Sequence, residues 1–152
     1  MLCTESGVDE ADLLIEDGVI SEIGTGLSDA EAEVVEAKGK YVLPGAVDIH
    51  THMDLDVGIA RVIDDFYTGT IAAACGGTTS IVDHMAFGPK DCSLWHQVKE
   101  YHRLADGNAV VDYGFHGVFQ HVNPQVLEEM GEIAKEEGIT SFKVYMTYGY
   151  GL

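Results

Sequence analysis

The stretch Pro44-Gly45-Ala46-Val47-Asp48-Ile49-His50-Thr51-His52 decides how the rest of the chain is read. It reads as a buried strand that ends by projecting two imidazoles from an apolar wall. Side chains alternate faces along a strand, so Asp48, His50 and His52 share one face and Val47 and Ile49 the other. Histidines at i and i+2 bring two nitrogen donors together, which suits a divalent ion of the zinc kind. A polar strand end with two hydrogen-bonded histidines satisfies the same spacing. Spacing alone leaves both open.

Towards the amino terminus, Leu13-Leu14-Ile15 and Val19-Ile20 flank Glu16-Asp17-Gly18, the signature of two short strands joined by an Asp-Gly turn. Val34-Val35 and Tyr41-Val42-Leu43 suggest a further small β element. Met1 to Ser6 does not read as a strand. Residues 1–43 are therefore expected to form a minor β subdomain, separate from residues 44–152.

Towards the carboxyl terminus the pattern becomes regular. A loop from Met53 to Ile63 precedes a helix over Phe66 to Cys75, opened by Asp64-Asp65 and stopped by Gly76-Gly77. Thr78 to Met85 is a β-branched strand, and Ser93 caps a helix from Leu94 to about Asp106. Val110 to Val118 is a third strand. Asn123-Pro124 opens a helix that closes at Gly138, with Val126 or Leu127, Met130, Ile133 and Ala134 on its buried face. Ser141 to Met146 is a fourth strand.

Strands alternating with helices imply a parallel sheet with helical crossovers. A (β/α)8 barrel needs roughly 200 residues or more. This chain has 152 and supplies four strands. The expectation is an α/β fold: the first half of a (β/α)8 TIM-like barrel, preceded by a small β segment.

Composition narrows the function. The 26 acidic against 8 basic residues give a formal net charge of -18, with no Lys or Arg before Lys38, a balance that repels phosphate backbones and anionic membranes. Nucleic-acid binding is excluded on this basis. A solvated surface explains the charge, and adaptation to high salt is a second explanation. Cys3, Cys75 and Cys92 are odd in number and widely spaced, which argues for free thiols in a reducing compartment. The amino terminus lacks a basic signal-like region, and no apolar run approaches the ~18 residues of a membrane span. A soluble, cytoplasmic protein is expected.

Lys143 lies between Phe142 and Val144 in an apolar strand, on the face that also carries Tyr145. Burying an ammonium is costly, so a lysine there tends to be neutral and able to take up carbon dioxide as a carbamate. A carbamate is a two-oxygen ligand able to bridge two metals. A snorkelling or ion-paired lysine remains the alternative.

Three segments together resemble the hydantoinase and dihydropyrimidinase family of cyclic amidohydrolases. They are Pro-Gly-x-x-Asp-x-His-x-His at Pro44 to His52, Gly-Gly-Thr-Thr-Ser-Ile-Val-Asp-His at Gly76 to His84, and Ser-Phe-Lys-Val-Tyr-Met-Thr-Tyr at Ser141 to Tyr148. Asp56 to Arg61, followed by Asp64 to Thr70, is most similar to the D-phenylhydantoinase branch.

The resemblance implies that His50 and His52 ligate a metal and that Lys143 is the carboxylated lysine bridging it to a second, both metals being zinc. It implies that Tyr148 hydrogen-bonds the substrate carbonyl and its developing oxyanion. Leu55, Tyr145 and Tyr148 would shape the substrate pocket, and Asp48 would orient a ligand from behind. Residues 1–43 would be part of a β-sandwich subdomain and 44–152 part of a metal-dependent amidohydrolase barrel.

The implied reaction is metal-assisted hydrolysis of a cyclic ureide, a hydantoin or dihydropyrimidine, to an N-carbamoyl amino acid. The family's remaining ligands and general base have no counterpart in these residues, so activity is expected only of the full-length protein. A homotetramer is implied as well. His84, His96, His102, His116 and His121 match no family ligand. Asp64-Asp65 reads as a helix cap rather than an acid/base pair.

Two other classes use related sequences. Dihydroorotase- and allantoinase-type hydrolases place a polar binding residue soon after His-x-His, where this chain has Met53-Asp54-Leu55. Non-catalytic dihydropyrimidinase-like assembly proteins have lost the metal ligands, whereas His50, His52 and Lys143 are all present.

Overall fold

A computed structural model describes residues 1–86, 88–89 and 91–146. The chain divides into two compact units, Met1–Pro44 and Gly45–Leu152.

In the first unit, β1 (Leu2–Thr4) pairs antiparallel with β2 (Gly7–Asp9). This corrects the expectation that Met1 to Ser6 holds no strand: Val42 lies beside Leu2, accepting from Cys3 N–H at 2.9 Å and donating to Met1 C=O at 2.8 Å. β2 supplies the segment's ladder, and Val42 adds a parallel bridge to Leu2 that the segment's own composition does not announce. The hairpin of β3 (Asp12–Glu16) and β4 (Val19–Gly24) forms as expected. Its turn residues Asp17 and Gly18 have φ of 51° and 76°, the two positive values that a type I′ turn requires. Val34 and Val35 do not form the further β element. They are 84% and 82% exposed and pair with nothing among the described residues, so their β-branched propensity finds no ladder to act on.

The second unit runs β5 (Ala46–Thr51), α1 (Phe66–Cys75), β6 (Thr78–Met85), α2 (Leu94–Ala105), β7 (Asp112–Phe119), α3 (Pro124–Glu136) and β8 (Phe142–Val144). The four strands form one parallel sheet in the order β5-β6-β7-β8, so each helix is a crossover between neighbours. Four parallel strands in sequential order with three helical connections form the first half of a (β/α)8 barrel.

The helix boundaries follow their caps. Asp65 accepts from Thr68 N–H at 2.7 Å in a capping box, Ser93 from His96 N–H at 3.0 Å, and Asn123 from Val126 N–H at 2.9 Å. Phe66, Ile81, Met85, Tyr101, Phe115 and Ile133 anchor the core between sheet and helices. On α3 the buried face uses Val126 and Ile133, while Leu127 is 52% exposed. Glu129 is buried instead, and its carboxylate accepts Leu94 N–H at 2.8 Å, tying α3 to the start of α2.

The sequence suggests a buried β5; in the structure Ala46 to His50 are exposed. β5 is an edge of the sheet, and among the described residues nothing pairs with its outer side. Gly45 nevertheless has to be glycine, because a Cβ there would fall 1.9 Å from Thr79 Oγ1. No helix among the described residues is long and apolar enough to cross a membrane.

Candidate metal centre

Parallel strands end at one rim of the sheet, where the loops leave and where barrels of this type keep their chemistry. At that rim β5 carries His50, with His52 just beyond its end, and β6 carries His84 as its penultimate residue. The ring centroids lie 5.2 Å apart for His50 and His52, 4.5 Å for His50 and His84, and 4.7 Å for His52 and His84. One nitrogen from each ring falls within 4.8 Å of the others. His50 is exposed, His52 half-buried and His84 buried.

Hydrogen bonds fix what some of these nitrogens can do. His84 Nδ1 lies 3.1 Å from the Thr51 carbonyl, which can only accept, so Nδ1 carries the proton and Nε2 the lone pair. His52 Nδ1 is buried and has no hydrogen-bond partner among the described residues. His116 stands next to His84, ring centroids 4.8 Å apart, but both its nitrogens are engaged. Its Nε2 lies 2.9 Å from Ile49 C=O and its Nδ1 bonds Ser141 Oγ.

Electrostatics keep His52 and His84 in the neutral form that can bind metal. Burial is the main cause lowering His84, to about 4; Lys143 and the neighbouring rings add to it, and the Thr51 bond opposes. His52 is lowered by burial, then by Lys143 and His50. At neutral pH both are neutral imidazoles with a free lone pair.

Asp83 supports the turn that carries His52. It is fully buried, and one oxygen accepts Thr51 Oγ1–H at 2.8 Å and Met53 N–H at 2.7 Å, clamping the residues on either side of His52. Burial pushes its carboxyl up to about 6 against these bonds. Its other oxygen has no partner among the described residues. Asp48, expected to orient a ligand, accepts His50 N–H at 3.0 Å and so holds the His50 backbone rather than its ring.

Lys143 comes to the same rim from β8. Val118 of β7 is its register partner, and Gly117 lets β8 approach, since a Cβ there would meet the Phe142 ring at 2.6 Å. Its charge acts on both His52 and His84. Its Nζ is 5.2 Å from the centre of the Tyr145 ring. Expected to be buried, Lys143 is half-buried, because β8 is the other edge of the sheet.

The loop after His52 is ordered by its own contacts. Asp54 adopts φ 53°, pairs with Arg61 at 2.8 Å and accepts Phe66 N–H at 3.2 Å. Leu55, half-buried, accepts Val62 N–H at 2.9 Å. Tyr148 lies outside the described residues.

The donors therefore fit a divalent ion. Three imidazoles, one with an orphaned buried nitrogen, form a soft-to-borderline set of the kind that suits zinc. Sequence reasoning set His84 aside and missed Asp83. The available signal was an Asp-His pair closing a β-branched strand next in order to the His-x-His strand, since sequential parallel strands end side by side.

No family model matches the chain. Known proteins do. It is 54% identical to a D-phenylhydantoinase of Escherichia coli O1:K1 / APEC over 147 residues, 96% of this chain and 32% of that protein. A D-hydantoinase crystal structure superposes with a TM-score of 0.92 at 47% identity, covering 97% of this chain and 32% of the other. The dihydropyrimidinase of Brevibacillus agri NCHU1002 gives 0.91 at 45% identity over the same shares. The chain spans about a third of the length of the curated relatives it matches. Sequence identity at this level across nearly every residue, together with the superposition of the half-barrel, identifies the chain as belonging to the hydantoinase and dihydropyrimidinase family.

Proposed function

We propose that the whole protein hydrolyses the cyclic amide bond of hydantoins or dihydropyrimidines, giving N-carbamoyl amino acids, at a two-metal centre to which this chain contributes His50, His52 and Lys143. The observation that carries this is the convergence of His50, His52 and the Lys143 charge at one strand-end rim. The half-barrel and the 54% identity to a D-phenylhydantoinase support it.

A pair of divalent ions, zinc by donor type, would supply an activated water and polarise the ring carbonyl. His50 and His52 each offer an imidazole nitrogen. Lys143, as the carbamate its neutral amine would form with carbon dioxide, would offer two oxygens to hold the metals. Asp48 fixes the His50 backbone, and Tyr148 donates its phenolic proton to the oxygen on which charge develops. Leu55 and Tyr145, together with Tyr148, are assigned to the pocket for the ring substituent.

The domain assignment follows the same reading, with residues 1–43 part of a β-sandwich and 44–152 part of the catalytic barrel. The substrate is a small neutral ureide, in keeping with a net charge of -18 that disfavours nucleic acid. The three free cysteines support a cytoplasmic setting, and the family's tetramer is the proposed assembly. Retention of His50, His52 and Lys143 counts against a non-catalytic assembly protein. The test is metal content and hydantoin hydrolysis in a protein of the relatives' length carrying these residues. Two metals per chain and ring opening are expected, with the 152-residue chain alone inactive; a folded, metal-free, inactive product contradicts the proposal.

A further inference from the structure

We propose that His84 is a third nitrogen ligand, and that with His50 and His52 it makes a one-metal site, for a borderline divalent ion such as Zn(II) or Co(II), complete within these residues. The inference rests on His50 and His52 being ligands and adds a donor to them. Three geometric facts support it. The three rings cluster at centroid distances of 4.5 to 5.2 Å, with a nitrogen of each inside a 4.8 Å group. The His84 ring is held by its Nδ1–H bond to Thr51 C=O, which leaves Nε2 as the donor. His52 presents a buried nitrogen with no partner among the described residues.

Metal–nitrogen bonds of about 2.0–2.1 Å in a tetrahedral site place ligand nitrogens roughly 3.4 Å apart. Closing from 4.8 Å needs ring movements of about an ångström. The exposed His50 ring is free to make them. No carboxylate forms an ion pair with these rings among the described residues, so a cation has no salt bridge to displace. Such an ion would rely on neither Lys143 nor any residue beyond this chain.

The experiment is Co(II) titration of the 152-residue chain, read by visible d–d absorption, with far-UV circular dichroism confirming each variant is folded. One equivalent is expected to bind. His84→Asn keeps an N–H where Nδ1 stood, and so the Thr51 bond, but has no counterpart of Nε2. It should weaken cobalt binding about 100-fold or more, beyond the 10–100-fold typical of losing a group that merely positions a ligand. His84→Gln should show the same loss and replaces the Asn variant if that one unfolds. His96→Asn, on α2, should bind as the parent does.

An unchanged affinity and band in His84→Asn overturns the inference, as does a parent chain that binds no cobalt. His50→Ala and His52→Ala separate it from the proposed function. If they lose the ion while His84→Asn keeps it, only the role of His84 fails. If they also bind as the parent does, the ligand reading of His50 and His52 fails with it.

Discussion

The helical side of the half-barrel and its strand-end rim differ in how they treat buried polar groups. Under α2 and α3, Phe66, Tyr101 and Ile133 are buried, and most polar groups that enter are answered: Tyr101 donates to Ala86 C=O at 2.7 Å and Glu129 accepts from both Leu94 and Gln125, while Gln97 Oε1 on α2 is buried without a partner among the described residues. At the rim, His52 Nδ1 and Asp83 Oδ1 are buried without partners among the described residues, and three imidazoles crowd together with no carboxylate between them. An orphaned buried polar atom costs about 1–3 kcal/mol, so a cluster of them in a family member marks where stability yields to binding. One side specifies the fold and the other carries the proposed metal site.

The largest expected difference lies in the core. Phe66→Ala, removing a ring packed edge-on to Tyr101 and Phe115, should cost about 3–5 kcal/mol in urea unfolding, and an exposed rim substitution such as His50→Ala should cost under about 1. Equal costs would break the comparison.

A second prediction uses pH on the metal-free chain. The Asp83 carboxyl is raised to about 6, so its contribution is complete below the unfolded value near 4 and is lost as pH rises through 6. His84 is lowered to about 4, so its contribution is complete above about 6.5 and is lost as pH falls through 4. The two slopes oppose each other between pH 4 and 6. In thermal melts across this window, Asp83→Asn should make stability climb with pH and His84→Asn should make it decline. Parallel profiles in the two variants would contradict the rim geometry.

Smaller effects sharpen the contrast. Asn123→Ala removes the α3 cap and should cost about 1 kcal/mol in denaturant unfolding. Arg61→Ala breaks a pair whose guanidinium is 60% exposed and should cost under about 1 kcal/mol, an effect that shrinks as salt is added.

The fold was legible wherever local chemistry and tertiary packing agree. Capping residues Asp65, Ser93 and Asn123 start their helices, and β-branched Thr78 to Met85 forms its strand without an end misplaced. It was illegible where pairing decides, as when Gly7 to Asp9 pairs with Leu2 to Thr4 and Val42 bridges Leu2, or where a partner is wanting, as at Val34-Val35. The site divides the same way. His50 and His52 declare themselves by spacing on one strand, but His84 lies 32 residues beyond His52 and joins them only because β6 pairs with β5. Asp83 is harder still, since its role depends on burial and on two hydrogen bonds from the turn around His52.

The central claim is that the strand-end histidines form a metal centre, and imidazole-nitrogen NMR of the uniformly labelled chain during Zn(II) addition tests it most directly. The ring nitrogens of His50, His52 and His84 should shift together and saturate at one equivalent, while those of His96, His102 and His121 stay in place. Shifts spread evenly over all the histidines, or none at the three, would contradict it.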